Sequence, residues 1–74
     1  MKNIVVYGKT LCPYCENAKM ALDMCHKSYE YKLLDKDFKG ADIKSVAPTA
    51  TTYPVILING EYIGGFEELM KVLL

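Results

Sequence analysis

Arginine is absent from this sequence, and its absence bears on the partners that the protein can have. All nine basic residues are lysines, nine acidic residues balance them, and the formal net charge at pH 7 is zero. Nothing in this composition resembles the concentrated basic face that phosphate backbones require. We therefore expect no nucleic-acid partner.

Long apolar runs are also missing. Near the N-terminus, one lysine is followed by only four consecutive apolar residues, 4–7, before Gly8. Such a run is too short for the core of a signal peptide or for a membrane span. The sequence thus predicts a cytoplasmic protein with no membrane partner.

Cysteine and histidine are scarce, since the chain has three cysteines and one histidine. An odd number of cysteines in a reducing compartment does not suggest a disulfide framework. A zinc site normally takes four ligands, and beyond Cys12 and Cys15 only Cys25 and His26 are available. Neighbouring residues of one helix point roughly 100° apart, so this second pair does not complete a closed site. We expect no bound metal.

Linkers and low-complexity segments are absent as well. The chain has 74 residues, of which 51% are apolar and 24% charged, as is usual for a globular protein. This length allows one hydrophobic core and is too short for two domains. We expect a single monomeric domain that covers residues 1–74.

The chain does contain a regular alternation of strand and helix patterns. Residues 3–7 are a β-branched and aromatic run, which predicts a buried strand that ends at Gly8. A helix follows, with Thr10 as a candidate N-cap and Pro13 suited to the first turn. The stripe that this helix would bury consists of Cys15, Ala18, Leu22 and Cys25.

The second half of the chain continues the pattern. Residues 29–34 alternate and then become apolar, which predicts a second strand. A short helix must stop near Pro48. Its apolar face comprises Ile43, Val46 and Ala47. Asn59-Gly60 joins two β-rich runs and predicts a hairpin. The last helix spaces its apolar residues at i, i+3, i+4 and i+7, namely Phe66, Leu69, Met70 and Leu73.

The resulting order is β-α-β-α-β-β-α, which predicts an α/β fold with a four-stranded mixed sheet. One half of the sheet would be parallel and the other antiparallel, with helices covering it. A C-x-x-C motif after the first strand of such a chain, here at residues 12–15, is typical of thioredoxin-like proteins.

The positions of the two cysteines assign them different roles. Unpaired N–H groups and a partial positive charge at the helix start favour a thiolate on Cys12, which makes it the nucleophile. Cys15 lies one turn further on, close enough to attack a mixed disulfide on Cys12, and is the resolving thiol. Lys9 is either a cation beside the thiolate or a solvated lysine at a strand end, and spacing alone does not decide between them.

Three separated motifs resemble those of the glutaredoxins. They are C-P-Y-C at residues 12–15, T-Y-P at 52–54, where most members have T-V-P, and G-G-F-E-E-L at 64–69. The motifs occur in the family's order and spacing, and the resemblance covers essentially the whole chain. It implies a thioredoxin-like (glutaredoxin) fold in which Pro54 is cis, and a glutathione-dependent thiol-disulfide oxidoreductase.

The resemblance also implies a groove for glutathione, which would be a co-substrate and not a tightly bound cofactor. A cis bend would present the backbone of Tyr53 to an extended thiol substrate, in the manner of strand addition. N–H groups after Gly65 would hold the γ-glutamyl carboxylate, and Glu67 would accept from its ammonium group. The implied groove residues are Lys9, Tyr14, Thr52, Tyr53, Pro54, Gly65, Phe66 and Glu67.

The sequence departs from the family pattern at two of these positions. Phe66 stands where a small residue or cysteine is usual, and Glu67 stands where aspartate is usual, so both affect the fit to glutathione. Because there is no arginine, the glycyl carboxylate must be met by a lysine without a bidentate fork. The candidates are Lys9, Lys36 and Lys39.

The implied partners are disulfide-containing or glutathionylated proteins, with ribonucleotide reductase as one candidate. A first alternative is a redoxin that serves ribonucleotide reductase and is recharged by thioredoxin reductase. A second is an iron–sulfur scaffold, in which two chains would share a cluster through Cys12 and glutathione. Pro13 and Tyr14 argue against the scaffold, because cluster-binding relatives usually have small residues between the cysteines.

Cys25 and His26 fall outside the three motifs. Cys25 shares the stripe of the first helix, roughly 20 Å from Cys12, and is expected to be a small core residue. His26 lies near the far end of that helix and is expected to cap it or to face solvent.

Overall fold

The fold is taken from a computed structural model that describes residues 3–74. The predicted order β-α-β-α-β-β-α is confirmed. Residues 1 and 2 of the predicted domain lie outside the described part. Within that part, no helix has the length and apolarity needed to cross a membrane. The elements are β1 (Ile4–Gly8), α1 (Pro13–Met24), β2 (Glu30–Leu33), α2 (Gly40–Val46), β3 (Val55–Ile58), β4 (Glu61–Gly64) and α3 (Phe66–Leu73).

The four strands form one mixed sheet in the order β2-β1-β3-β4. Val6 of β1 lies opposite Tyr31 of the parallel strand β2 and opposite Ile56 of the antiparallel strand β3. β4 pairs antiparallel with β3. The predicted parallel and antiparallel halves are therefore confirmed. β1 is a central strand, and it delivers the chain to Lys9 and the C-P-Y-C motif.

Both faces of the sheet are covered, because alternate residues of β1 and β3 are apolar on either side. On one face α1 and α3 complete a core of Ile4, Val6, Ala18, Leu22, Ile56 and Leu69. On the other face lies α2, with a second core of Phe38, Ile43, Ala47, Val55 and Leu57. The central strands are thus covered on both sides, fully buried on one face of β1 and half-buried on the other, in keeping with their continuous apolar runs.

The hairpin between β3 and β4 turns at Asn59-Gly60, as predicted. Both residues have positive φ, 54° and 83°, the conformation that two-residue hairpin turns of this kind require. The turn is also tied to the start of β1. The backbone N–H of Asn3 donates to Oδ1 of Asn59 over 2.9 Å, and the N–H of Asn59 donates to the carbonyl of Asn3 over 2.7 Å.

The start of α1 differs from the prediction, because Thr10 is not its cap. The N-cap is Cys12, with an extended backbone (φ −124°, ψ 97°), and Pro13 is the first helical residue. Leu11, which precedes the cap, has a φ of 54°. This left-handed residue turns the chain between Thr10 and the helix, so the sulfur of Cys12 takes the position of the capping group.

The burial of α2 also differs in one residue. Ile43 and Ala47 are buried, whereas Val46 is 37% exposed, so the predicted apolar face is wrong at Val46. Ile43 and Ala47 are four residues apart and lie one above the other on the helix, whereas Val46, three residues after Ile43, falls to one side. In addition, β2 is shorter than the predicted strand at residues 29–34, and Leu34 forms only an isolated bridge with Phe38.

Cys25 is exposed, so its predicted place in the core is wrong. It is the C-cap of α1, and its N–H donates to the carbonyl of Ala21 over 3.1 Å. Because the chain leaves the helix here, the side chain does not continue the buried stripe that ends at Leu22. His26 follows with a φ of 57° and is exposed, which confirms that it faces solvent.

Candidate active site

The candidate site begins at Cys12 and Cys15, which form a disulfide with their Cα atoms 5.2 Å apart. Cys12 is 8% exposed, whereas Cys15 is completely buried. The backbone N–H of Cys15 donates to Sγ of Cys12 over 3.2 Å. Of the two sulfurs, therefore, only that of Cys12 can meet a substrate from solvent. The predicted roles of nucleophile and resolving thiol depend on this difference.

The first turn of α1 provides a favourable place for negative charge on Cys12. The N–H groups at a helix start lack partners within the helix, and the macrodipole adds a partial positive charge there. Because Sγ of Cys12 already accepts one of these N–H groups, a thiolate formed by reduction is stabilised without rearrangement. This geometry is consistent with the prediction that Cys12 is the nucleophile of the reduced pair.

A cavity of about 270 Å³ gathers most of the implied groove residues from distant parts of the chain. Seven of the eight line it, and the eighth, Lys9, does not. The seven are Tyr14, Thr52, Tyr53, Pro54, Gly65, Phe66 and Glu67. The start of α1, the loop before β3 and the start of α3 therefore meet at one place.

Aromatic contacts connect these three segments. The rings of Tyr14 and Phe66 pack with their centroids 5.9 Å apart, which joins the C-P-Y-C motif to the start of α3. Nζ of Lys9 lies 5.8 Å from the ring centroid of Tyr53, within the range of a cation–π interaction. Phe66, the departure from the family pattern, thus forms a wall of the cavity against Tyr14.

The loop before β3 approaches α3 closely at Pro54. The Tyr53–Pro54 peptide bond is cis, as the resemblance implies, and Pro54 is buried. A Cβ atom at Gly65 would lie 3.3 Å from the carbonyl oxygen of Pro54, tighter than most such contacts. Glycine at this position therefore lets the backbone of α3 come near the T-Y-P motif.

The start of α3 is capped by its own sequence. The backbone N–H of Gly65 donates to Oε1 of Glu68 over 2.9 Å. This hydrogen bond, and then the one from the N–H of Glu68 itself, hold the pKa of Glu68 below its usual range. Two N–H groups at this helix end, those of Gly65 and Glu68, therefore have an internal acceptor. The groups that remain for a bound carboxylate are those of Phe66 and Glu67.

Comparison with known proteins assigns the chain to a family. The family model described as Glutaredoxin matches residues 4–63. The chain belongs to the glutaredoxin family. A glutaredoxin of Ricinus communis is 37% identical over 65 residues, which are 84% of this chain and 64% of that protein. Glutaredoxin-2 of Schizosaccharomyces pombe is 33% identical over 72 residues, 93% of this chain and 66% of that protein.

Solved glutaredoxins share the fold. Glutaredoxin 1 of Francisella tularensis, complexed with cacodylate, superposes with a TM-score of 0.79 over 96% of this chain and 91% of that one, at 24% identity. The buckwheat glutaredoxin–glutathione complex has a TM-score of 0.77 and 32% identity, over 95% of this chain and 66% of that one. The thioredoxin-like fold is confirmed. This glutaredoxin spans between about half and two thirds of the length of the curated relatives it matches first.

Several residues of the cavity were missed by the sequence reasoning. Thr51 and Tyr62 line it together with Thr49 and Glu68. Two signals could have found some of them. Thr51 directly precedes the T-Y-P motif, and Glu68 stands three residues after a helix cap, where a glutamate typically bonds back to the cap N–H.

Two of the lysines considered for the glycyl carboxylate do not line the cavity. Nζ of Lys39 lies 3.7 Å from Oδ1 of Asp35, on the exposed surface. Lys36 is exposed as well. Lys9 does not line the cavity either, but its Nζ lies 5.8 Å from the ring centroid of the lining residue Tyr53. Among residues 3–74, no group of three or more cysteine, histidine or acidic side chains could hold a metal ion.

Selective alkylation should distinguish the three thiols of the reduced protein. We expect iodoacetamide at pH 6 to label Cys12 first, because its thiolate is stabilised at the start of α1. Cys15 is buried, and the exposed Cys25 lies at the other end of the helix, away from the N–H groups of its first turn. Peptide mapping by mass spectrometry after brief labelling gives the order. Earlier labelling of Cys25 or Cys15 would contradict the assignment of the nucleophile.

The cap of α3 should make stability depend on pH through Glu68. A carboxyl group whose pKa is lowered in the folded state stabilises it above the unfolded pKa, and this contribution is lost as the pH falls through the folded pKa. We expect Glu68→Gln to lower the free energy of unfolding at pH 7, with the difference closing well below the ordinary glutamate pKa of about 4.3. Urea denaturation of the wild type and the variant, at pH 7 and at the lower pH, measures the difference in their free energies of unfolding.

Glu67→Gln is the matched control, since it removes the same charge from the same turn of α3 without removing the bond to Gly65. Equal effects of the two substitutions would show that the helix dipole, and not the hydrogen bond of Glu68, is responsible.

Proposed function

We propose that this glutaredoxin is a glutathione-dependent thiol-disulfide oxidoreductase that reduces protein disulfides and glutathione mixed disulfides. One observation carries the proposal: the Cys12–Cys15 pair caps α1. Tyr14, between the two cysteines, lines a cavity with the T-Y-P loop and the start of α3. The glutathione complex of the buckwheat relative supports glutathione as the co-substrate.

In the proposed reaction, the Cys12 thiolate attacks one sulfur of a protein disulfide, and the other sulfur leaves as a thiolate that takes up a proton. Cys15 then loses its proton and attacks the sulfur of Cys12. This step releases the second substrate thiol and forms the Cys12–Cys15 disulfide, so two electrons have passed to the substrate. Two glutathione molecules then return the pair to the dithiol and become glutathione disulfide.

Glutathione would lie along the cavity with its cysteinyl sulfur at Cys12. The backbone N–H and C=O of Tyr53 would pair with its cysteinyl residue, as in strand addition. The γ-glutamyl carboxylate would accept from the N–H groups of Phe66 and Glu67, and the carboxylate of Glu67 would meet the ammonium group. Lys9, beside the ring of Tyr53, would attract the glycyl carboxylate.

The proposal also covers the partners of the protein, its cofactor requirement and its location. The partners would be glutathionylated or disulfide-containing proteins, among which ribonucleotide reductase is one candidate. Glutathione would be a co-substrate, without a tightly bound cofactor. The protein would act as a monomer in the cytoplasm.

A coupled assay tests the source of electrons. Turnover of a glutathionylated substrate is followed through NADPH oxidation, first with glutathione and glutathione reductase and then with thioredoxin reductase in their place. We expect turnover only in the first arm. Turnover in the arm with thioredoxin reductase, and not in the arm with glutathione, would favour the alternative of a redoxin recharged by thioredoxin reductase. No turnover in either arm would contradict the proposal altogether.

A further inference from the structure

Leu11, the residue before the nucleophile, is almost entirely in solvent. Its side chain is 98% exposed, the highest value among the large apolar residues of the described chain. Its φ is 54°, in the left-handed region. Bulky residues rarely adopt this conformation, which glycine or asparagine takes at lower cost.

The fold does not account for a leucine at this position. The side chain packs in neither of the two cores, so it contributes no buried apolar area. The left-handed backbone disfavours it as well. A residue that neither packing nor backbone requires, placed next to a reactive group, indicates a role in function.

The surroundings of Leu11 show what it can touch. Cys12, which follows it directly, is 8% exposed, and the exposed residues on its other side are Pro13 and Tyr14. A molecule that reaches the sulfur of Cys12 therefore meets an apolar rim. Tyr14 lines the glutathione cavity, whereas Leu11 does not. Leu11 is thus available to the part of the substrate that lies outside the cavity.

We infer that Leu11 determines specificity for the polypeptide half of a mixed disulfide and selects an apolar side chain next to the substrate cysteine. The inference rests on the proposed function and deepens it. In a glutathionylated protein one sulfur belongs to glutathione and the other to the polypeptide. With glutathione in the cavity, the polypeptide lies over the rim. An apolar side chain beside its cysteine is then partly removed from water against Leu11.

The test compares two glutathionylated peptides that differ only in the residue before their cysteine, leucine in one and serine in the other. The mixed disulfide of glutathione with cysteine, which has no neighbouring side chain, is the reference substrate. With glutathione as reductant, we expect wild-type kcat/KM for the leucine peptide to exceed that for the serine peptide about tenfold, which corresponds to about 1.4 kcal/mol. Leu11→Asn and Leu11→Gly should reduce this ratio to near one.

Leu74→Asn is the matched control, because Leu74 is also a leucine with 95% of its side chain exposed. It should keep the wild-type ratio. Since both Leu11 substitutions suit a left-handed residue, their melting temperatures should equal or exceed that of the wild type. A changed ratio then cannot result from partial unfolding.

The outcomes separate the inference from the function on which it rests. Wild-type turnover of the reference substrate with no preference between the peptides would overturn the role of Leu11 and leave the proposed function standing. A preference that survives in Leu11→Asn and Leu11→Gly would overturn it too. Failure of the wild type on the reference substrate would remove the proposed function and the inference together.

Discussion

Replacing Cys12 with serine should abolish the reduction of both protein disulfides and glutathionylated substrates, with a loss of at least about a thousandfold. In the proposed mechanism both reactions begin with attack by this sulfur, and a hydroxyl at the same place forms no disulfide. The structure leaves no substitute, since Cys15 is completely buried and Cys25 lies at the opposite end of α1. The coupled assay with glutathione and glutathione reductase measures both activities.

Cys15→Ser should separate the two activities. Deglutathionylation needs one attacking thiol, because a second glutathione can resolve the mixed disulfide on Cys12, so this variant should retain activity on glutathionylated substrates. Reduction of protein disulfides should be lost, since the resolving thiol within the chain is gone. Cys25→Ser is the control and should match the wild type. Equal loss in the Cys12 and Cys15 variants on the glutathionylated substrate would rule out the route that uses one thiol.

The element order could be predicted from the sequence because each element has a local signal that the packing reinforces. The apolar run of β1 is buried on one face and half-buried on the other, and Asn59-Gly60 has the positive φ values that its composition favours. The last helix carries a spaced apolar stripe centred on Leu69, which is completely buried. The local pattern and the tertiary environment agree in these places.

Prediction was wrong where a residue lies at the end of an element. Thr10 has a good capping side chain, but the chain turns at Leu11 and Cys12 takes the cap. Cys25 continues the apolar spacing of α1, but the helix ends at Met24 and the side chain is exposed. Spacing carries no information on where a helix stops, because the end depends on hydrogen bonds made by the neighbouring loop.

The cavity could not have been assembled from local patterns alone. Tyr14 and Phe66 are distant in sequence and pack together only because α1 and α3 cover the same face of the sheet. The resemblance to the family supplied that association, and seven of the eight groove residues that it implied line the cavity. Tyr62 belongs to no motif. Its position follows from the register of β4, which the sequence does not specify.

Gly8 is a position where a single added methyl group should cost stability through one identifiable contact. It is buried at the end of β1, and its carbonyl accepts from the N–H of Leu34 over 2.8 Å. A Cβ atom there would overlap the hydroxyl oxygen of Tyr31 and lie 2.7 Å from its Cζ. The ring packs against the core beneath α1 and α3, so moving it away disturbs that packing. Overpacking of this kind costs about 1–3 kcal/mol.

We therefore expect Gly8→Ala to lower the free energy of unfolding by about 2 kcal/mol, a large part of the total for so small a domain. Because Gly8 is followed directly by Lys9 and the loop to Cys12, a shifted strand end should also lower kcat/KM for glutathionylated substrates. Urea denaturation and the coupled assay measure the two effects.

Substitutions of Tyr31 test whether contact with its side chain causes the loss of stability in Gly8→Ala. Its hydroxyl oxygen is buried and has no hydrogen-bond partner among residues 3–74, so Tyr31→Phe alone should leave stability unchanged or slightly raised. Tyr31→Leu shortens the side chain and makes room for the methyl group. The double variant Gly8→Ala/Tyr31→Leu should then be more stable than the sum of the single effects predicts, by about 1 kcal/mol or more. Gly8 has no positive φ, so alanine fits its backbone. If the two effects proved additive, contact with Tyr31 would not be the reason for a glycine at this position.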